Sequence, residues 1–196
     1  MQLSKMAIIR SGTPQFRITE TLDSAAPTYL FYSQADLEND KNGLESAFDA
    51  SLPVEMRKQI RTFDAVETAS TGDVVFSLIS GQAAVVQPAR VGYLLTQNYA
   101  LIQPTEKLSV NYLLYLINED SHVKRQFHAG RQGSITMKYT LKQLNDVQVP
   151  ALPSFERQEL IGSLYVNQLR LSALKRRAAK LEMDLLLATI REVETK

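Results

Sequence analysis

Short apolar runs alternate with turn-forming residues over the first 150 positions, which is typical of a small mixed domain. Three runs are rich in aromatic and β-branched residues and are bounded by Gly, Pro, Asn or Ser, and they predict strands within residues 27–34, 72–88 and 98–104. The middle run is predicted to be a hairpin that turns at residues 80–82. These runs indicate a sheet built from short strands.

Helical patterns interleave with these strands. Apolar residues recur at helical spacing between positions 109 and 129, which predicts a helix there. Thr140 is placed to cap a short helix over residues 141–146, and residues 147–150 are predicted to return as a strand. We therefore expect an α+β (mixed α/β) domain over residues 1–153.

The pattern changes at the two prolines that follow. Pro150 and Pro153 hold the chain extended until Ser154 can act as a helix N-cap. After one early glycine no helix breaker follows, so residues 154–196 form a second unit with a single helix from position 155 to about 193. At about 1.5 Å per residue this helix is roughly 58 Å long.

The long helix carries an apolar seam with alternating spacings of three and four, which is the a and d pattern of a coiled coil. The seam residues are Leu164, Asn167, Leu171, Leu174, Ala178, Leu181, Leu185 and Ala188. The first turns, around Leu160 and Ile161, are expected to pack on the preceding domain. Beyond Arg170 the seam requires a partner, because that domain is too small to cover it.

Charges beside the seam favour an antiparallel pair. A parallel pair would set Arg170 near Lys175 of its partner, which is repulsive. An antiparallel pair can set Lys175 against Glu182 and Arg177 against Asp184, each twice by symmetry. The sequence therefore predicts an antiparallel homodimeric coiled coil.

The same register has a favourable and an unfavourable consequence. Ala178 faces Leu181, so side-chain volumes match, but Arg170 lies near Arg191. The residues predicted to form the dimer are Leu171, Leu174, Lys175, Arg177, Ala178, Leu181, Glu182, Asp184 and Leu185.

Composition sets the broad class. With 196 residues, of which 44% are hydrophobic, the chain can bury one core. There is no run of 18 apolar residues and no basic leader with an apolar segment, so a cytoplasmic protein is expected. The chain has no cysteine, which excludes disulfides, thiolate zinc sites and cysteine nucleophiles.

Charge is unevenly distributed although the net charge is only +1. Residues 20–73 contain eleven acidic side chains, whereas residues 121–145 contain none. The second window holds Lys124, Arg125, Arg131, Lys138 and Lys142. One end of the domain is therefore expected to be electropositive.

Catalytic motifs are missing from the sequence. We find no phosphate loop, no dinucleotide-binding glycine pattern, no H-E-x-x-H and no G-x-S-x-G. His122 and His128 lie six residues apart and do not share a helix face cleanly, so they are a weak metal pair. The expectation is a non-catalytic protein without cofactor or metal.

A binding role is indicated by the stretch FHAGRQGSITMKYTLK at residues 127–142, in which cations alternate with amide, hydroxyl and aromatic groups around two glycines. Lys and Arg neutralise phosphate, while Arg, Gln, Ser and Thr reach base edges. A solvated loop whose glycines permit turns is an equally good reading of this stretch alone. The candidate DNA-binding residues are Lys124, Arg125, Arg131, Gln132, Ser134, Lys138 and Tyr139.

Taken in order, several stretches resemble the specificity subunit of type I restriction-modification systems. They are LSKMAIIRSGTP, GDVVFS, NYALIQP followed by NYLLYLI, GRQGSITMKYTLKQLNDVQVPALP, and PSFERQELI leading into the long helix. The last stretch places Glu156, Gln158 and Ile161 after a proline-rich hinge, as in that family. The resemblance covers almost the whole chain.

The resemblance implies a target recognition domain that reads one half of a split site in double-stranded DNA, followed by a spacer helix that pairs antiparallel. Methylation of adenine and cleavage would belong to separate modification and restriction subunits. The usual subunit has two such domains and two helices, whereas this chain has room for one of each, so a homodimer would restore the symmetry. The base-contacting residues vary in the family and are not carried over.

Two other classes remain open from the sequence. One is a free-standing dimeric DNA-binding regulator without a methyltransferase, and the other is a coiled-coil adaptor that binds no nucleic acid.

Overall fold

A computed structural model describes residues 1–43, 57–129 and 138–194. Its strands are β1 (Ala7–Ser11), β2 (Thr28–Leu30), β3 (Gln59–Arg61), β4 (Val74–Ser77), β5 (Ala83–Val85) and β6 (Tyr99–Pro104). Its α-helices are α1 (Gln34–Lys41), α2 (Val110–Asn118), α3 (Ser121–Ala129), α4 (Leu141–Asp146) and α5 (Phe155–Glu194).

Four strands form the main sheet in the order β1-β6-β4-β5, and every neighbouring pair is antiparallel. β2 and β3 form a separate two-stranded antiparallel ribbon. The predicted hairpin is confirmed as β4 and β5, and Gly81 in its turn has a φ of 71°, where a residue without a side chain is favoured. The mixed α/β fold class followed by a long helix is also confirmed.

The main sheet is covered on both faces, because alternate residues of its strands enter two different clusters. Phe76, Ala83 and Ile102 lie in a cluster that includes buried residues of α2, α3 and α4. Val75 and Leu101 lie in the other, together with Leu37 of α1. The central strands are therefore buried on both sides, as their unbroken apolar sequences require.

Two predicted elements differ from the structure. The segment 109–129 is two helices rather than one, since the Asp120 carboxylate accepts hydrogen bonds from the backbone N–H groups of His122 and Val123 and so begins α3 anew. The strand predicted at 147–150 is reduced to an isolated bridge between Gln148 and Gln2. Its backbone groups pair with the N-terminus of the chain instead of extending the sheet.

The first predicted strand is also shorter than expected. Only Thr28–Leu30 is extended within a sheet, because Ser33 caps α1 through a capping box with Asp36. The cap of α4 by Thr140, which the sequence predicted, is confirmed as a capping box with Gln143.

A buried charge cluster joins α1 to the segment after β5. The Arg90 guanidinium is fully buried and lies 3.2 Å from Asp36 and 2.8 Å from Asp40. The Tyr32 hydroxyl donates to the Asp40 carboxylate at 2.7 Å. Burial raises the pKa of Asp40 to about 6, although the Tyr32 hydrogen bond and the Arg90 charge act in the opposite direction.

Candidate nucleic-acid interface

Four chain segments meet at one end of the main sheet, which we call the loop end. β1 finishes there at Ser11, opposite Ala100, and β4 finishes there at Ser77, opposite Tyr99. The loop end therefore comprises residues 12–17 after β1, residues 78–82 of the hairpin turn, residues 96–98 before β6, and residues 138–139.

The loop end is rich in amides and hydroxyls that bond to one another. The Gln15 backbone N–H donates to the Gln97 side-chain oxygen at 2.7 Å. Gln34, at the start of α1, donates to the Ser80 hydroxyl at 2.9 Å and accepts from the Ser77 hydroxyl at 3.0 Å. Amides and hydroxyls of this kind are the groups that read base edges in the major groove.

A close backbone contact holds two of these loops together. A Cβ atom on Gly12 would lie 2.2 Å from the Thr96 carbonyl oxygen, so only glycine fits between the loop after β1 and the loop before β6. The chain then exposes Phe16, which is 82% exposed, and the Arg17 guanidinium lies 5.6 Å from its ring centroid. An exposed aromatic ring beside an arginine is an arrangement that suits nucleic acid.

Lys138 belongs to this surface. Its ammonium donates to the Asn98 side-chain oxygen at 3.1 Å, and both groups are near solvent. The structure thus joins one cation of the predicted basic window to an amide that precedes β6.

Tyr139 does not fit its predicted role in DNA contact. Its side chain is only 7% exposed, and its ring packs edge-on against Phe76 and Phe127 at centroid distances of 6.1 and 5.5 Å. It also covers Gly81, where an added Cβ would meet the tyrosine ring. The sequence interpretation failed here because an aromatic residue in a basic stretch has the same pattern whether its ring faces the core or the solvent.

The two basic residues on α3 differ in their surroundings. Lys124 forms an ion pair with Glu119 at 2.8 Å, and both side chains are nearly half exposed. Arg125 is exposed and its Nε donates to the Ser121 carbonyl at 3.2 Å. Arg125 therefore retains guanidinium N–H groups directed to solvent, whereas the charge of Lys124 is partly neutralised. The remaining predicted residues, Arg131, Gln132 and Ser134, lie outside the described residues.

Acidic residues of the 20–73 stretch are largely engaged in local structure where the structure describes them. Asp36 and Asp40 belong to the buried cluster with Arg90, and Glu67 forms an ion pair with Arg10 at 3.1 Å. Asp64 accepts a hydrogen bond from the Thr19 backbone N–H at 2.6 Å. Within the described part of this stretch, Asp36, Asp40 and Glu67 are therefore each paired with an arginine.

The long helix has two distinct faces. Gln158, Gly162 and Ala173 are its buried residues, and they lie at the b, c and f positions of the heptad that begins with Leu164. The predicted seam lies on the opposite side of the helix and is exposed in the single chain: Leu171 and Leu174 are 45% and 46% exposed. Ile161 packs on the domain as predicted, whereas Leu160 is 59% exposed.

The dimerisation residues predicted from the sequence all lie on α5. Leu181 and Leu185 are 55% and 70% exposed, and every described residue of α5 after Arg177 is exposed. The structure places no element of the same chain over this part of the seam in the residues that it describes.

Across residues 1–43, 57–129 and 138–194, no three His, Asp or Glu residues are placed to hold a metal ion. Within the same residues, none of the helices is both long enough and apolar enough to cross a membrane.

Sequence reasoning missed Gln15, Arg17 and Gln97 as candidate contacts. Gln15 and Gln97 are separated by 82 positions and become neighbours only through the pairing of β1 with β6. The available signal was the placement of polar residues immediately beyond predicted strands, which alone does not tell which strand ends share an edge.

The fold of one mixed α/β domain followed by one long helix is similar to that of chains in solved structures of type I restriction-modification systems. The chain is similar over 94% of its length to the HsdS subunit from Thermoanaerobacter tengcongensis, with 22% identity and a TM-score of 0.56. It is similar over 95% of its length to the type I restriction-modification S subunit from M. genitalium, with 12% identity and a TM-score of 0.54.

A third similarity is to a chain in a structure of the type I R-M system solved to explain complex assembly and conformational transition, with 14% identity, a TM-score of 0.61 and 94% of this chain covered. In the order given above, this protein spans 41%, 44% and 45% of the three chains. Neither a family model nor a curated protein matches the sequence. The fold of this protein is thus similar to that of somewhat less than half of each of these chains.

Proposed function

We propose that this protein is a DNA-specificity subunit of a type I restriction-modification complex, in which residues 1–153 read DNA and residues 154–196 dimerise. The observation that carries the proposal is the shared fold over nearly the whole chain with S subunits about twice as long. The subunit is non-catalytic, acts in the cytoplasm, and directs modification and restriction subunits to their site.

DNA binding is assigned to the loop end together with the exposed face of α3. Lys138 and Arg125 contact phosphate, and the amides around Gln15 and Gln97 approach base edges. The proposal also retains Arg131, Gln132 and Ser134 in the stretch between α3 and Lys138. Lys124 contributes less, because Glu119 already pairs with it.

Two copies associate through α5 as an antiparallel coiled coil. The bare seam of α5, opposite the face that packs on the domain, supports this arrangement. Two identical domains related by a two-fold axis then read a split palindrome. The register sets Lys175 against Glu182 of the partner, so cysteines at these two positions should crosslink between chains under oxidation, and monomeric product at every oxidant concentration would reject the register.

A selection of bound DNA from random duplexes tests the function itself. We expect a split palindrome whose half-sites are separated by fewer than about 17 base pairs, the length of α5 at about 3.4 Å per pair. An asymmetric site would instead indicate that a second, different domain is required. The absence of any salt-dependent binding to random duplex DNA would favour the alternative of a coiled-coil adaptor.

The role of partner subunits needs a separate test. Copurification of the tagged protein with an adenine methyltransferase from its own cells is expected. A sequence-specific dimer that copurifies with none would be a free-standing regulator.

A further inference from the structure

Gln158 joins three segments at the point where α5 leaves the domain. Its side-chain oxygen accepts from the Ser109 backbone N–H at 3.0 Å, and its amide nitrogen donates to the carbonyl oxygens of Lys107 and Pro153 at 3.1 Å each. The residue is only 2% exposed. One buried side chain therefore ties α5 to the start of α2, to the loop before it and to the proline hinge.

Only an amide suits all three bonds. The oxygen must accept and the nitrogen must donate twice, and glutamine provides one acceptor oxygen and two N–H donors on the same planar group. A glutamate of the same size would keep the acceptor and lose both donors. The sequence pattern of the hinge therefore specifies a hydrogen-bond geometry and not merely a polar residue.

A second contact, one turn after Gln158, further restricts the orientation of α5 relative to α2. A Cβ atom on Gly162 would lie 2.5 Å from the Tyr112 nitrogen and 2.6 Å from the Asn111 carbonyl carbon, so the backbones of α5 and α2 touch directly. Tyr165 then packs edge-on against Tyr115 at a centroid distance of 5.9 Å. Three successive contacts along one face hold α5 in a single direction relative to α2.

The length of α5 amplifies any change in that direction. Its 40 residues extend about 60 Å at about 1.5 Å each. A tilt of roughly 6° at the hinge therefore moves the far end by about 6 Å, which is close to two base pairs at about 3.4 Å per pair. In the proposed dimer, the angle between α5 and its own domain, which is fixed near Gln158, thus sets the distance between the two DNA-binding domains along a duplex.

We propose that Gln158 is a positioning residue that sets the spacer length between the two half-sites. The proposal rests on the proposed function, because it presupposes that two copies read a split site. It assigns to this residue no contact with DNA. Its loss is expected to leave recognition of each half-site intact while relaxing the distance between them.

The test compares the full-length wild type with Gln158→Ala, Gln158→Glu and the control Gln168→Ala. Gln168 lies on the same helix and is exposed, and its side-chain amide donates to the Ser172 hydroxyl one turn away. Affinity is measured on synthetic duplexes that carry the selected half-sites at every spacing up to about 17 base pairs. Circular dichroism, thermal unfolding and sedimentation report folding and dimerisation separately.

We expect wild type and Gln168→Ala to prefer one spacing sharply. Both Gln158 variants should show a several-fold loss of the affinity ratio between the preferred and neighbouring spacings, with affinity for a duplex bearing a single half-site unchanged. Gln158→Glu keeps the shape of the side chain, so it carries the comparison if the alanine variant does not fold.

The outcomes separate the two proposals. If the folded Gln158 variants keep the spacing preference of the wild type, the positioning role is overturned while the split-site function stands. If the wild type binds no split site at any spacing, both are overturned. If the variants lose affinity equally at all spacings and for the single half-site, Gln158 acts on the fold of the domain and not on spacing.

Discussion

Leu181 and Leu186 offer a comparison in which the same substitution should have opposite consequences. In the single chain the two leucines are nearly equally exposed, at 55% and 54%. Leu181 lies at a d position of the seam, whereas Leu186 lies on the b, c and f side. Exposure in the monomer alone would predict that Leu181→Ala and Leu186→Ala have equal effects. Only the proposed dimer, in which Leu181 is buried and Leu186 is not, predicts different effects.

The expected magnitude follows from symmetry. A buried Leu→Ala change costs about 2–5 kcal/mol, and we take about 2 kcal/mol because a two-helix seam leaves part of each side chain in water. Each dimer contains the change twice, so about 4 kcal/mol is lost. At about 1.4 kcal/mol per tenfold, the Kd of the dimer should rise roughly 1000-fold.

Leu186→Ala should change the Kd little, because alanine favours the helix and an exposed substitution costs less than about 0.5 kcal/mol. Sedimentation velocity over a range of protein concentrations measures both constants without DNA. Equal shifts for the two variants would refute the assignment of the seam, and so would a Leu181→Ala dimer whose Kd stays within twofold of the wild type.

Two further predictions concern the charged groups. Arg125→Ala should reduce the slope of log DNA affinity against log salt concentration by about 0.9, which is the contribution of one phosphate contact. Lys124→Ala should change this slope less, because Glu119 already pairs with that lysine. Equal slopes for the two variants in DNA-binding titrations would contradict this prediction. Arg90→Met should lower the free energy of unfolding at neutral pH by about 3–5 kcal/mol, since it leaves buried carboxylates without their cation. The pKa of Asp40 in the folded protein is about 6, above its ordinary value. The protonated carboxyl of Asp40 therefore contributes to the stability of the fold at acid pH, and this contribution is lost as the pH rises through 6. Urea unfolding should therefore show a smaller defect at acid pH than at neutral pH, and an equal defect at both would count against a buried, titrating Asp40.

Elements that depend on local sequence were predicted well. The capping box at Thr140, the hairpin around Gly81 and the uninterrupted helix after the prolines each rest on signals within a few residues, and the structure contains all three. The division of residues 109–129 into two helices was missed, because apolar spacing does not reveal a cap within the segment. The Asp120 carboxylate caps the N-terminus of α3 and so separates α3 from α2.

The candidate interface was predicted only in part, because it depends on pairing between distant strands. Lys138 was found from a basic stretch, but its neighbour Asn98 comes from a loop 40 residues earlier. Tyr139 was misplaced because the choice between core and surface is made by Phe76 and Phe127, which lie on other elements.

The two opposite faces of α5 also separate the folding of this protein from its assembly. The first half of the helix is stabilised by the domain, whereas the stretch beyond Arg177 makes no burying contact within the described residues. A helical extension without tertiary contacts is held mainly by its own backbone hydrogen bonds, and each of these adds little net stability in water, so it frays from its free end. The part of α5 beyond Arg177 should therefore fray in the dilute monomer and become ordered as the second copy binds. Amide hydrogen exchange in that part of α5 should then slow as the protein concentration rises, whereas exchange in the domain should not change.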